Sequence, residues 1–453
     1  MERGLATSST PTAALGAGVF AEPPAPSETI RDGRSATPRA AKKTGAVGAE
    51  APGVLLESVI GLLLLVSLAG VMAHPKVREV EVTLGIADLV ATGLPFLLLG
   101  WAARLPAVGL LDDALLARLA PVVDFCLGWL GLWVGLRFDL RLKGWSPAGA
   151  GGAVAIWAGL PFIALTLLGG AGLWLLQPEL ALETAALDAL LIGAAGAMTG
   201  HLTGTLGDDE AVASAGSGDR QRLEPRVAQG SALIGIVSLA LLSAVVRPTG
   251  ASSWQMPWAA WLCVWIGVSV ALGLLVYTVA RRPTTDAEFL AVIIGSVAFS
   301  SGFADFLHLP PLAVCFLIGV TLSHLPGELR RRATPILRQL ERPLELLFLA
   351  AVGASWDFVD WRGWALLPVF VVVRSVSAAV ARLAVAGVAG CGGAAPQPWH
   401  LLPVGPMAIA LVVSVQSLAG ADSPRWLVST VVGGAMLTDL LIRIRLDRRQ
   451  DVR

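Results

Sequence analysis

Apolar residues along this 453-residue chain gather into long runs separated by short polar connections. From residue 54 onward thirteen runs read as helices: 54–73, 84–102, 120–136, 150–176, 186–206, 228–246, 258–280, 288–307, 309–325, 341–356, 364–388, 400–418 and 425–442. About 20 apolar residues carry a helix across a hydrocarbon core roughly 30 Å thick. Helix is the expected state because lipid offers no partner to an exposed peptide group, and alternating barrel strands are not seen. His308, Pro310 and Pro311 break one long run into the eighth and ninth spans. The pattern predicts an all-α polytopic membrane protein of about 13 transmembrane helices.

Composition agrees. Hydrophobic residues make up 55% of the chain, charged residues 15%, and mean hydropathy is +0.71. A soluble domain of this length needs far more charge to cover its surface. Net charge is zero, so nothing points to nucleic acid. Cys126, Cys263, Cys315 and Cys391 stand singly among apolar neighbours and read as small core residues, neither a disulfide framework nor a metal site. Residues 1–53 are rich in Ala, Gly, Pro, Ser and Thr, hold one aromatic (Phe20), and read as a disordered tail with no signal-peptide pattern. Residues 443–453 read as a short basic tail.

Charge fixes the direction. One set of connections carries Lys76, Arg78, Arg137, Arg141, Lys143, Arg220, Arg222, Arg226, Arg281, Arg282, Arg330, Arg331, Arg332, Arg338, Arg342, Arg443, Arg445, Arg448, Arg449 and Arg453. The opposite set holds Arg104, Arg118, Arg247, Arg362 and Arg425. Twenty cations against five place the C-terminus in the cytoplasm. The same count puts the N-terminal tail outside, in conflict with Arg39, Lys42 and Lys43 beside the first span. Either the tail crosses despite its charge, or the first segment, which contains Glu57, does not span.

Two segments repeat. Val134-Gly135-Leu136-Arg137-Phe138-Asp139, followed by Gly144-Trp145, matches Val352-Gly353-Ala354-Ser355-Trp356-Asp357, followed by Gly363-Trp364. A weaker echo sets Gly196-Ala197-Met198 against Gly405-Pro406-Met407. Both pairs lie seven spans apart, an odd offset, so the copies run in opposite directions through the membrane. Residues 54–246 and 288–442 then read as inverted repeats joined by the helix 258–280, an organisation of many secondary transporters.

Over residues 54–442 this order resembles the monovalent cation/proton antiporter superfamily, which includes sodium/hydrogen exchangers and Kef-type membrane domains. Leu127–Asp139 (LGWLGLWVGLRFD), Leu307–Gly319 (LHLPPLAVCFLIG), Pro343–Asp357 (PLELLFLAAVGASWD) and Pro403–Ala410 (PVGPMAIA) carry the likeness. The resemblance implies fifth and twelfth spans that are unwound mid-membrane and cross, so that half-helix ends face the transported ion. It also implies a core domain of spans 3–6 and 10–13, a dimerisation domain of spans 1, 2 and 7–9, a homodimer, and a bacterial inner-membrane location. One departure stands out. The family carries an Asp pair or an Asn-Asp pair early in the sixth span, whereas this chain has Gln229-Gly230-Ser231-Ala232.

Of the 33 Lys and Arg residues, only Arg374 and Arg382 fall inside a span rather than at its edge. Arg382 can snorkel to the cytoplasmic surface. Arg374 is near the middle, where a cation is costly and points to function; it matches the family's basic position, and a scaffold role weighs equally. Asp124, Asp188 and Asp305 fall near outer ends, Glu345 and Asp439 toward inner ends, and Asp139 and Asp357 close the repeated motifs. These acids read as interfacial or capping residues, with Asp188 the best placed substitute carboxylate and Glu345 second. Thr199, His201, Thr203 and Thr205 occupy the segment expected to unwind. Threonine hydroxyls and carbonyls suit a monovalent cation, and His201 a proton; ordinary small-residue packing is the alternative. Trp101, Trp145, Trp174, Trp258, Trp364 and Trp426 read as interface anchors.

Gly149–Gly152 and Gly390–Gly393 lack a P-loop lysine, no HExxH occurs, and Ser300, Ser301 and His308 make a poor dyad, so no enzyme and no cofactor are expected. The leading expectation is a secondary transporter exchanging a monovalent cation for protons, with lipid as its surroundings. The ion-binding candidates are Arg374, Thr199, His201, Thr203, Ser231, Gln229 and Asp188. Two alternatives remain open: a degenerate homologue serving as a partner or sensor subunit, and an anion transporter drawn to an unbalanced Arg374.

Overall fold

The computed structural model describes Ser67 and residues 93–105, 113–138, 150–179, 181–199, 220–246, 257–326, 329–356, 360–388, 404–419 and 426–450. Among them lie twelve α-helices and no strand. They are α1 (Leu94–Arg104), α2 (Asp113–Arg137), α3 (Ala150–Leu176), α4 (Leu182–Ala197), α5 (Arg220–Val245), α6 (Trp258–Ala280), α7 (Asp286–Phe306), α8 (Pro311–His324), α9 (Leu329–Ser355), α10 (Trp361–Val388), α11 (Gly405–Ala419) and α12 (Trp426–Gln450). They answer to the second through thirteenth expected spans. The tail 1–53, and the first span apart from Ser67, lie outside the described residues. Among the described residues six helices are long and apolar enough to cross a membrane, including Gly152–Leu176, Trp258–Ala280 and Trp361–Val385.

The break between α7 and α8 falls where the sequence places it. Leu307 ends α7, His308 takes φ 54, and Pro311 opens α8 at a position where a missing N–H costs nothing. At its other end α7 starts with a capping box: the Glu288 N–H donates to Thr285 Oγ1 at 3.3 Å, and the Glu288 carboxylate accepts from the Thr285 N–H.

One boundary is corrected. Residues 329–340, read as a cytoplasmic connection because of their arginines, form the first half of α9. Ala333, Leu337 and Glu341 recur at helical spacing and are buried, while Arg330, Arg331 and Arg338 face outward. Arg332 anchors this half to the start of α7, donating to Asp286 Oδ1 at 3.1 Å and to the Pro283 carbonyl at 2.9 Å. The last helix also runs past the expected 442, to Gln450.

Two tight pairs frame the molecule, α2 on α8 and α9 on α1. Each is set by the glycine of a repeated Val-Gly. A Cβ on Gly135 would strike the Phe316 carbonyl and come within 3.0 Å of Gly319 Cα, and one on Gly353 would strike the Leu97 backbone. Small residues let helix backbones approach this closely in a membrane. Between the pairs sits a core in which Trp129, Trp133, Phe316, Phe348 and Phe370 are fully buried. Leu167, Leu274, Phe299, Val372 and Leu383, on α3, α6, α7 and α10, project outward as a lipid-facing surface requires.

Candidate functional site

One described helix ends and another begins at the two places where the weaker sequence echo lies. α4 stops at Ala197, and Met198 turns extended (φ −66, ψ 140). α11 opens at Gly405, whose φ of 67 is one that glycine adopts without strain. Pro406 follows in the first turn, where its lack of an N–H is harmless. α4, α5 and α11 pack against one another. Gly235 of α5 marks where they meet: a side chain there would strike Met198 Cε and sit 3.1 Å from Leu411 Cδ1.

A helix end leaves carbonyl oxygens without partners. At the end of α4, Arg374 of α10 supplies them. Its guanidinium is 2% exposed, Nη1 donates to the Gly196 carbonyl, and Nη2 donates to the Met198 carbonyl at 2.7 Å. The costly mid-helix cation is thus stabilised by peptide oxygens freed by the break. Beside it the Thr199 N–H donates to Ser231 Oγ at 3.3 Å, the two hydroxyls lie 3.0 Å apart, and Ser231 donates to the Ala228 carbonyl at 2.9 Å. Ser231 is 1% exposed, in the stretch of α5 where the family resemblance implies an acid.

The other candidates separate. Gln229 donates from Nε2 to the Arg137 carbonyl at 3.0 Å, which caps the C-terminal end of α2. Asp188 is 8% exposed with Oδ2 lacking a hydrogen bond, but it lies nine residues before Ala197 on α4, about 14 Å along the axis. His201, Thr203 and Thr205, with Asp139 and Asp357, fall outside the described residues.

Asp439 is the residue the sequence reading passed over. Because α12 extends to Gln450, Asp439 stands midway along it rather than near its end. Its Oδ1 accepts from the Val404 N–H at 2.9 Å, immediately before the break at Gly405. Among the described residues it is the carboxylate whose charge acts on Arg374, and it also acts on Glu345 of α9. Glu341, one turn from Glu345, accepts from Trp133 Nε1 at 2.8 Å, and Arg137 lies 4.0 Å over the Trp133 ring. A separate polar groove of about 1110 Å³ on α9, lined by Arg330, Arg331, Thr334 and Arg338, includes none of these residues.

Taken together, the described residues define a helical, multi-pass membrane protein whose buried polar centre is assembled at helix ends. No protein-family description matches the chain, and no curated protein matches it. Among solved structures the chain is similar to the sodium proton antiporter MjNhaP1 from Methanocaldococcus jannaschii at pH 8, with a TM-score of 0.56 and 15% identity over 86% of this chain and 96% of that one. At that identity the likeness shows the fold: the chain is built as an antiporter of this kind is built.

Proposed function

We propose that the chain is a secondary transporter exchanging a monovalent cation for protons across a cell membrane. The observation that carries the reading is the seat of Arg374 on the Gly196 and Met198 carbonyls. Non-helical backbone at membrane depth is tolerated where protein or a water-filled cavity surrounds it. Here the freed carbonyls and the Thr199 and Ser231 hydroxyls offer several oxygens of the kind that hold sodium or potassium. Arg374 occupies two of them as a tethered cation, so a free cation has a site to compete for. Thr199, Ser231 and Arg374 form the described part of the site, and His201 and Thr203 continue it in sequence.

The fold shared with a sodium proton antiporter supports this reading. So does the pairing of helices. Under the seven-span offset, α2 on α8 exchanges with α9 on α1, and α3 with α5 exchanges with α10 with α12, as inverted repeats require. The cation-rich connections put the C-terminus in the cytoplasm. An anion is a poorer fit than a cation, because the guanidinium already donates to two carbonyls.

The test is flux. The purified full chain is reconstituted into vesicles holding a pH dye, and a sodium or a potassium gradient is imposed. Proton movement opposite to the cation is expected with at least one of them. No response to either cation, or a response to chloride gradients alone, overturns the proposal.

A further inference from the structure

We infer that Asp439 is the group at which a proton and a monovalent cation replace one another in this chain. The inference rests on the exchange reading above and adds the residue that makes the exchange obligatory.

Placement comes first. α10 and α12 run side by side in the same direction. A Cβ on Gly363 would strike the Trp426 carbonyl and Ser429 Cβ at 2.5 and 2.7 Å, one on Gly433 would meet Leu367 at 2.5 Å, and one on Gly434 would meet Phe370 at 2.5 Å. One turn further along each helix, Arg374 comes level with Thr438 and Asp439. The carboxylate therefore stands at the level of Arg374 on the α12 side, while the Gly196 and Met198 carbonyls bond Arg374 from α4. The carboxylate's anchor, the Val404 N–H, ties it to the opening of α11, where unpaired N–H groups favour negative charge. One carboxylate thus stands level with the tethered cation and bonds the residue just before α11 opens.

The surrounding charges are accounted for. α10 brings Arg374; α11 carries no titratable residue; α4 carries Asp188 and Glu183, both toward its far end. On α9, Asp439 acts on Glu345, with Arg342 and Glu341 acting on Glu345 in turn. Glu341 is held by Trp133 and lies within the field of Arg137 and Arg338. Arg443 and Arg445 follow on α12 itself.

The guanidinium has five donors, and two of them serve the carbonyls. Arg374 thus keeps oxygen partners when Asp439 is taken by a ligand. A proton bound to Asp439 and a cation bound to it each add one positive charge, so the two occupants are equivalent in charge and exclude each other. Cation binding writes as Asp439–COOH plus M⁺ giving Asp439–COO⁻·M⁺ plus H⁺, and the released proton is what an exchanger must move.

Proton release from the purified full chain tests this without requiring transport. In weakly buffered detergent solution with a pH dye, adding sodium or potassium chloride should release about one proton per chain near the midpoint of the carboxyl titration, and choline chloride should release none. Asp439→Asn preserves an acceptor for the Val404 N–H and should cut the release at least about tenfold. If that variant does not fold, Asp439→Glu decides. Release with a displaced pH dependence supports the inference, and release identical to wild type overturns it. Undiminished release from Asp439→Asn, release lost in Asp188→Asn instead, or no release from the wild type with either cation overturns it as well. Vesicles that show no flux, from protein that does release protons through Asp439, would defeat the exchange reading and leave this assignment standing.

Discussion

The two halves of the chain come to the centre unequally equipped. The first half of the chain brings neutral groups: the Gly196 and Met198 carbonyls at the end of α4, and the Thr199 and Ser231 hydroxyls between α4 and α5. The second half brings the charge, with Arg374 on α10 and Asp439 on α12, the latter bonded to Val404 at the opening of α11. The first half's own buried acid, Asp188, stands nine residues away from the break. Two halves of one chain need not divide the chemistry evenly. Backbone breaks are set by local glycines and prolines, whereas a charge needs only to reach the common centre, from whichever helix lies beside it.

The largest effect that would break this comparison is expected at Arg374. Arg374→Ala strands two carbonyls and Asp439 in a buried centre and should cost about 3–5 kcal/mol. Thermal unfolding in detergent checks it, and an unchanged melting temperature would show that the second half's charge is dispensable. Next come the paired glycines. Gly135→Ala and Gly353→Ala each place a methyl group against the backbone of a neighbouring helix and should each lose about 1–3 kcal/mol. Gly267→Ala, where a Cβ meets nothing within 4 Å, should be neutral or slightly stabilising. Unequal losses at Gly135 and Gly353 would mean that the repeated Val-Gly pairs do different work. The smallest effect belongs to the neutral half. Ser231→Ala removes the bonds to Thr199 and should weaken apparent cation affinity about fivefold, equivalent to about 1 kcal/mol, in a titration of dye response against sodium or potassium.

Breaks in the helices were legible in the sequence where glycine or proline forces them. The His308–Pro311 break carries such a signal, whereas the end of α4 at Met198 and the opening of α11 at Gly405 fall inside apolar runs that read as continuous, and were implied by the family resemblance. The cost of a cation at Arg374 was legible too, because a charge inside an apolar run stands out. Amphipathic helix beside a membrane did not stand out: arginine density hid the Ala333–Leu337–Glu341 stripe of α9 from a search for apolar runs. Asp439 was hidden by a boundary. The apolar run ends at Ile442, so an acid at 439 reads as interfacial, and its bond to the Val404 N–H is visible only in the fold. Which residue of α12 lies level with which residue of α10 is a packing relation, fixed by Gly433 and Gly434 receiving Leu367 and Phe370, and no single-chain pattern records it.

Moving the carboxylate between the halves tests the account most directly. Sodium- or potassium-driven proton flux is measured in vesicles carrying wild type, Asp439→Asn, or Asp439→Asn combined with Ser231→Asp. The new acid at position 231 would sit beside Thr199, next to the Met198 carbonyl that Arg374 already holds. The account predicts that flux is lost in the single variant and returns to within about tenfold of wild type in the double variant, a deficit of about 1.4 kcal/mol or less. Full flux in Asp439→Asn alone would contradict it.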